Sequence, residues 1–208
     1  MYALLNVKLQ DDFCGNWVVI CITIRNIQQM KNLILAMAVV LLAGNIKAQQ
    51  TLTPTDEGSK VHFVIKNFGI KTGGDFTGLK GTIRFDKSTV ADWAFDVTVD
   101  ASSIDTDNDT RDRHLKKAEY FDVKQFPTIR MVSTKISTTD KPGIYQFKGN
   151  IIIKGVSKAI EFPFKVNNSN GGYLFTGTFD MNRRDFGVGG DSVSMADSLR
   201  VTLSVFAK

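Results

Sequence analysis

The chain has 208 residues, with 26 basic against 21 acidic side chains and a net charge of +5. That length accommodates one domain with a sizeable core. Its basic residues are scattered, with no basic stripe or tail, so the composition argues against a nucleic-acid binder and describes a solvated exterior able to make transient contact with anionic lipid surfaces.

Residues 30–48 read as a secretory signal peptide. Met30 serves as a start, Lys31 supplies the positive n-region, Leu33–Ala43 is an unbroken apolar stretch, and Ala48 offers a small residue at the cut. Ile46 is a poorer cleavage-site residue than alanine. The apolar stretch is shorter than the ~20 residues of a spanning helix. Residues 1–29 ahead of it read as a mis-assigned N-terminal extension, the alternative being a long n-region. Both cysteines, Cys14 and Cys21, fall in that extension, so residues 49–208 hold no cysteine for a disulfide or a metal.

From Lys60 onward the pattern is period two, the signature of half-buried strands. Val61, Phe63 and Ile65 alternate with His62, Val64 and Lys66. A weaker run covers Phe76–Phe85, and Trp93, Phe95, Val97 and Val99 share the next face. Asp109–Ala118 reads as one short helix with Asp109 as N-cap. Further strands are expected at Ile129–Ile136, Tyr145–Ile153, Ile160–Val166, Leu174–Met181 and Val201–Val205. Turn signals lie at Lys71–Gly74, Asp86–Ser88, Asp140–Gly143, Lys154-Gly155 and Asn167–Gly172. Residues 182–198 read as a long Gly- and Asp-rich loop, a lid or plug over an opening.

The expected fold is all-β: an eight-stranded antiparallel lipocalin-like barrel with one short helix. Short gaps leave no room for parallel crossovers, and eight strands close around side chains or one small ligand. Fourteen of the fifteen phenylalanines follow residue 50, mostly on the apolar faces. Periodicity alone leaves packed and hollow interiors equally open.

Chemistry-bearing patterns are sparse. Asp105, Asp107 and Asp109 have the spacing of a calcium loop, but Thr110 and Lys116 occupy the positions that need glycine and glutamate. His62, on the polar face of the first strand, reads as solvated. His114 with Asp112 suggests a general base, but the two face different ways on a helix and no nucleophile motif is near. Arg183 and Asp185 are read as a pair holding the late loop. The run Gly187–Gly190 lacks the frame of a phosphate loop. No enzyme, metal or cofactor is read from these residues.

Several segments, spread over Ser59–Ala207, resemble the YceI-like domain, a bacterial lipocalin-like family associated with binding polyisoprenoids. They are Ser59–Phe63 with Asn67-Phe68-Gly69, Gly78–Asp86, Ala101–Thr106, Arg111-Asp112, His114-Leu115, Tyr120–Val123, Phe126–Ile129, Gly149–Lys158, Asn182-Arg183 and Asp185–Val188. Arg130, Met131 and Arg184 depart from the usual pattern. The resemblance implies a polyisoprenoid or isoprenoid-quinone tail threaded through the barrel. The expected apolar lining is Phe63, Ile65, Phe76, Phe85, Phe95, Val97, Phe121, Phe126, Phe147, Ile151, Phe162, Phe164, Phe179, Phe186 and Leu203, with His114 and Arg183 near the mouth for a head group. With the signal peptide, this implies a periplasmic, non-enzymatic carrier or store of an apolar lipid. A lipid-modifying enzyme on a barrel scaffold and an envelope interaction protein with a packed core are the alternatives, and a homodimer stays open.

Overall fold

The computed structural model describes residues 50–86 and 89–208. The expected extension and signal peptide lie outside the described residues, as do Lys87 and Ser88.

Ten antiparallel strands form one curled sheet among the described residues. They are β1 (Gln50–Leu52), β2 (Pro54–Asn67), β3 (Ile70–Phe76), β4 (Lys80–Phe85), β5 (Ala94–Asp100), β6 (Thr128–Thr138), β7 (Ile144–Ile153), β8 (Val156–Ser169), β9 (Gly172–Asn182) and β10 (Met195–Ala207). The all-β barrel-like fold is as expected, with ten strands in place of eight. The expected run Phe76–Phe85 is the end of β3 and the whole of β4, broken at Thr77–Leu79, and β1 is the second addition.

The sheet curls closed through its first strand. β1 pairs with β4, whereas β2, one residue further on, pairs with β10. Between them Thr53 exchanges both backbone hydrogen bonds with Lys208, at 2.8 and 3.2 Å. The Asp56 carboxylate accepts from the Gly78 and Leu79 amides at 3.0 and 2.9 Å, tying β2 to the β3–β4 connection. At the opposite end the edge of β3 meets the segment after β5 through reciprocal Asp75–Asp105 backbone bonds.

Three hairpins turn on two residues with positive φ: Phe68-Gly69, Lys154-Gly155 and Asn170-Gly171. This turn geometry matches the right-handed strand twist. The turn expected at Lys71–Gly74 therefore lies earlier, and Gly73 and Gly74 sit inside β3. Their role is close approach. A Cβ on Gly74 would come within 2.6 Å of the Phe63 ring and 2.7 Å of the Thr106 methyl.

Helix α1 (Asp109–Leu115) is shorter than expected and capped one residue earlier, by the Asn108 side chain accepting from the Arg111 amide at 2.9 Å. That bond satisfies one orphan donor of the first turn. A 3-10 turn at Arg183–Phe186 and the early start of β10 reduce the expected late loop to residues 187–194.

Apolar side chains of alternate residues point inward and form one core. Outside, charged side chains pair across strands: Arg130 with Asp96, Arg200 with Asp180, Lys148 with Glu161. An apolar inside and charged outside is the reverse of a membrane-spanning barrel.

Candidate functional site: a blind apolar pocket

The interior divides into two halves of different chemistry. The half near the β1–β4 pairing is a floor of interlocked rings. Phe85 lies 4.5 Å from both Trp93 and Tyr173, and Trp93 lies 4.6 Å from Tyr145. Above them Phe95 meets Phe164 and Phe175 edge to face at 5.5 and 5.4 Å. Phe147 stacks on Phe162 at 4.9 Å, and Phe162 on Phe179 at 4.8 Å. Such offset and edge contacts fill space well and add to plain burial. The space left among these rings is only about 50 Å³.

The other half is hollow. A cavity of about 180 Å³ runs from Val205 and Leu203 up to Ile65, Asn67, Thr72 and Met195. Its wall is aliphatic and thioether side chains with a few rings: Val97, Val99, Ile129, Met131, Ile151, Ile153, Met181 and Val201 from the strands, and Leu115, Tyr120 and Phe121 from α1 and the turn after it. Phe121 is held there by edge-on contact with Phe76 at 5.6 Å.

The fifteen expected lining residues are divided by this partition. Phe63, Ile65, Phe76, Val97, Phe121, Ile151, Phe179, Phe186 and Leu203 line the cavity. Phe95, Phe147, Phe162 and Phe164 belong to the ring-packed floor, around the small residual space. Phe85 lies deeper in the floor, against Trp93, Tyr173 and Phe175. Phe126 is outside both spaces, where its ring covers Gly155 in the β7–β8 turn. A tail threaded end to end has no path through the floor, so the channel expected from sequence is a blind pocket.

Of the two residues expected at the mouth, Arg183 is fully engaged by the protein and His114 does not line the cavity. Arg183 is buried at 3% exposure, and every guanidinium N–H is spoken for. Nε donates to the Ala196 carbonyl at 3.0 Å. Nη1 donates to Val188 and Gly190, both at 2.8 Å. Nη2 donates to Met195 at 3.2 Å and to the Asp197 carboxylate at 2.8 Å. Arg183 thus folds residues 187–197 around itself, and its acidic partner is Asp197, not the expected Asp185. His114 stands outside the cavity, half-exposed, with Nε2 3.8 Å from Glu119 and its ring edge-on to Tyr120.

Sequence reasoning missed two residues at the rim. His62, expected to be solvated, is partly buried, and its Nδ1 lies 2.7 Å from Asp75 Oδ1 across the β2–β3 ladder. Arg111, on the first turn of α1, donates from Nε to the Thr106 hydroxyl at 2.7 Å and from Nη2 to the Thr106 carbonyl. Thr106 is buried and fixed by Asp112, whose carboxylate also accepts the Thr106 amide at 3.1 Å. His62, Thr106 and Arg111 line both the apolar cavity and an adjoining polar cleft that also includes Lys71, Asp75, Asp105 and Asp107. In the sequence Arg111 stands five residues after Thr106, with nothing in that spacing to mark a contact. Only the folded chain shows that the guanidinium turns back over that threonine.

Two of the three departures from the family pattern separate by face. Arg130 points outward and grips Asp96 with two bonds of 2.8 and 2.6 Å, whereas Met131 lines the cavity. The Arg130 guanidinium holds the Asp96 carboxyl below the usual carboxylate range. Among the described residues, no three His, Cys, Asp or Glu side chains are grouped to hold a metal ion.

Residues 52–207 match the family model described as the YceI-like domain. A UPF0312 protein of Yersinia enterocolitica is 26% identical, the alignment covering 81% of this chain and 91% of that protein. Among solved structures, BcnA of Burkholderia cenocepacia is 25% identical, with a TM-score of 0.68 over 72% of this chain and 96% of that one. A polyisoprenoid binding domain from Saccharophagus degradans shares the fold at 12% identity, with a TM-score of 0.63 over 77% of this chain and 99% of that domain. With the family model matched over residues 52–207, the chain belongs to the YceI-like family.

Proposed function

We propose that this protein binds the apolar tail of a polyisoprenoid-class lipid in the blind pocket and shields it from water for transport or storage in the periplasm. The observation that carries the reading is the partition of the interior: a hollow aliphatic half capped by a solid aromatic floor. A tail enters from one side and stops at the Phe179–Phe162 stack. Each buried CH₂ gains ~0.8 kcal/mol, so one isoprene unit contributes about 4 kcal/mol before ordering costs. Pocket depth then selects how much of the tail is covered, and the remainder with its head group stays at the rim.

The rim groups suit that arrangement. The Lys71 ammonium and the guanidinium of Arg111 lie in the polar cleft beside the opening, within reach of a polar or anionic head group. The basic side chains that touch the cavity, His62, Arg111 and Arg183, are each engaged with protein partners, which supports binding over catalysis. Secretion rests on the signal-peptide pattern of residues 30–48. The Saccharophagus domain of the same fold, a polyisoprenoid binding domain, supports the choice of ligand class.

Organic extraction and mass spectrometry of the protein recovered after export test the reading. Co-purifying isoprenoid lipid, or stoichiometric uptake of an added isoprenoid quinone, is the expected result. A protein that stays empty and leaves quinone in the micelle refutes it.

A further inference from the structure

Exposed apolar side chains gather at one place. Among the described residues, the large hydrophobic side chains left exposed are Phe68 (80%), Ile70 (71%), Val193 (110%) and Val156 (37%). The first three are neighbours although they come from two loops. Phe68 and Ile70 form the tip of the β2–β3 hairpin, and the Phe68 amide donates to the Ser194 carbonyl at 2.7 Å, which places Val193 beside them.

Phe68 is unfavourable to the fold twice over. It holds a positive φ of 50° at the first turn position, where the other hairpins carry Lys154 and Asn170. A bulky side chain is rare in that region, and Asn, Asp or Gly is preferred there. Its ring also buries almost nothing in return. A residue that costs the monomer in both conformation and exposure has its use outside the monomer.

Charge and position identify the partner. Lys66 and Lys71 stand directly opposite each other one step below the tip. Like charges so paired repel, and among the described residues neither ammonium is within ion-pair distance of a carboxylate. An anionic surface relieves that repulsion. The pocket opens beside the same tip, since Ile65, Asn67, Thr72 and Met195 line its upper wall.

We propose that Phe68, Ile70 and Val193 insert into the interface of an anionic lipid bilayer, with Lys66 and Lys71 against the head groups, so that the pocket mouth faces the membrane. This deepens the lipid-binding reading by naming where the protein exchanges its ligand. A tail then moves between bilayer and pocket without crossing water.

The test is co-sedimentation of the exported protein with vesicles of phosphatidylcholine alone or mixed with phosphatidylglycerol. The Phe68→Asn/Ile70→Thr variant suits the turn and strand preferences, so its fold is retained. The expected result is binding to the mixed vesicles that weakens with salt and falls at least about tenfold in the variant. Lys66→Gln/Lys71→Gln is expected to lose most of the preference for the anionic mixture. Absence of wild-type binding, or equal binding by the Phe68→Asn/Ile70→Thr variant, overturns the proposal, as does capture of a protein partner by this tip with no vesicle binding. Quinone uptake from detergent micelles is measured on the same samples. Uptake without vesicle binding refutes docking alone, and vesicle binding without uptake refutes the pocket reading alone.

Discussion

The floor and the mouth of this barrel are built from the same strands with the same alternation, yet one is solid and the other hollow. Trp93, just before β5, and Phe95 stand at the floor, and β5 runs on to Val97 and Val99 at the cavity. β7 runs from Tyr145 and Phe147 to Ile151 and Ile153, and β9 from Tyr173 and Phe175 to Phe179 and Met181. In β5 and β7 large rings give way to aliphatic side chains at about mid-length, and in β9 the change comes after Phe179, at Met181. Rings directed inward from facing strands meet across the barrel and lock. Aliphatic side chains of the same strands do not reach far enough to meet, and the gap between them is the pocket. Period decides which side chains face inward, and their size decides whether the inside is full.

Substitutions in each half separate these roles. Phe147→Ala removes a ring that is 1% exposed and stacked in the floor, and is expected to cost about 3–5 kcal/mol in urea unfolding. Lipid uptake measured under conditions where the variant is folded should be retained. Arg183→Met leaves four loop carbonyls and Asp197 without their donor, with an expected loss of roughly 2–4 kcal/mol. Limited proteolysis should then cut within residues 187–194 first. Leu203→Phe carries the floor upward into the cavity. Unfolding free energy should change by less than about 1.5 kcal/mol, whereas isoprenoid uptake falls severalfold. Full uptake by this variant would mean that the tail lies elsewhere.

The smallest effect belongs to the outer face. Asp96 is bonded to Arg130, which lowers its folded pKa relative to the unfolded chain. A depressed carboxylate pKa stabilises fully above the ordinary carboxylate range, and that contribution is lost as pH falls through the lower folded value. The pair is half-exposed. Asp96→Asn is therefore expected to lower Tm by no more than about 4 °C at neutral pH, less in high salt. The difference from wild type should vanish in strong acid.

Much of the strand pattern was legible because one face of each strand is buried and the other charged. The β2–β3 turn was misplaced because Gly73-Gly74 looks like a turn, whereas its glycines make room for Phe63 and Thr106. Fullness was not legible, because alternation is blind to what stands on the facing strand. The partners of Arg183 were hidden for a related reason: its carboxylate lies fourteen residues on, reached only after the loop wraps the guanidinium. The late-loop motif still marked that arginine as an organiser of the loop.

Because β2 pairs with the last strand, β10, and Thr53 with Lys208, the cylinder has no seam to zip until its last segment arrives. Contacts so distant along the chain form late and slowly. The local hairpins β6–β7, β7–β8 and β8–β9 need no such contact, so closure of the cylinder is the step expected to set the folding rate.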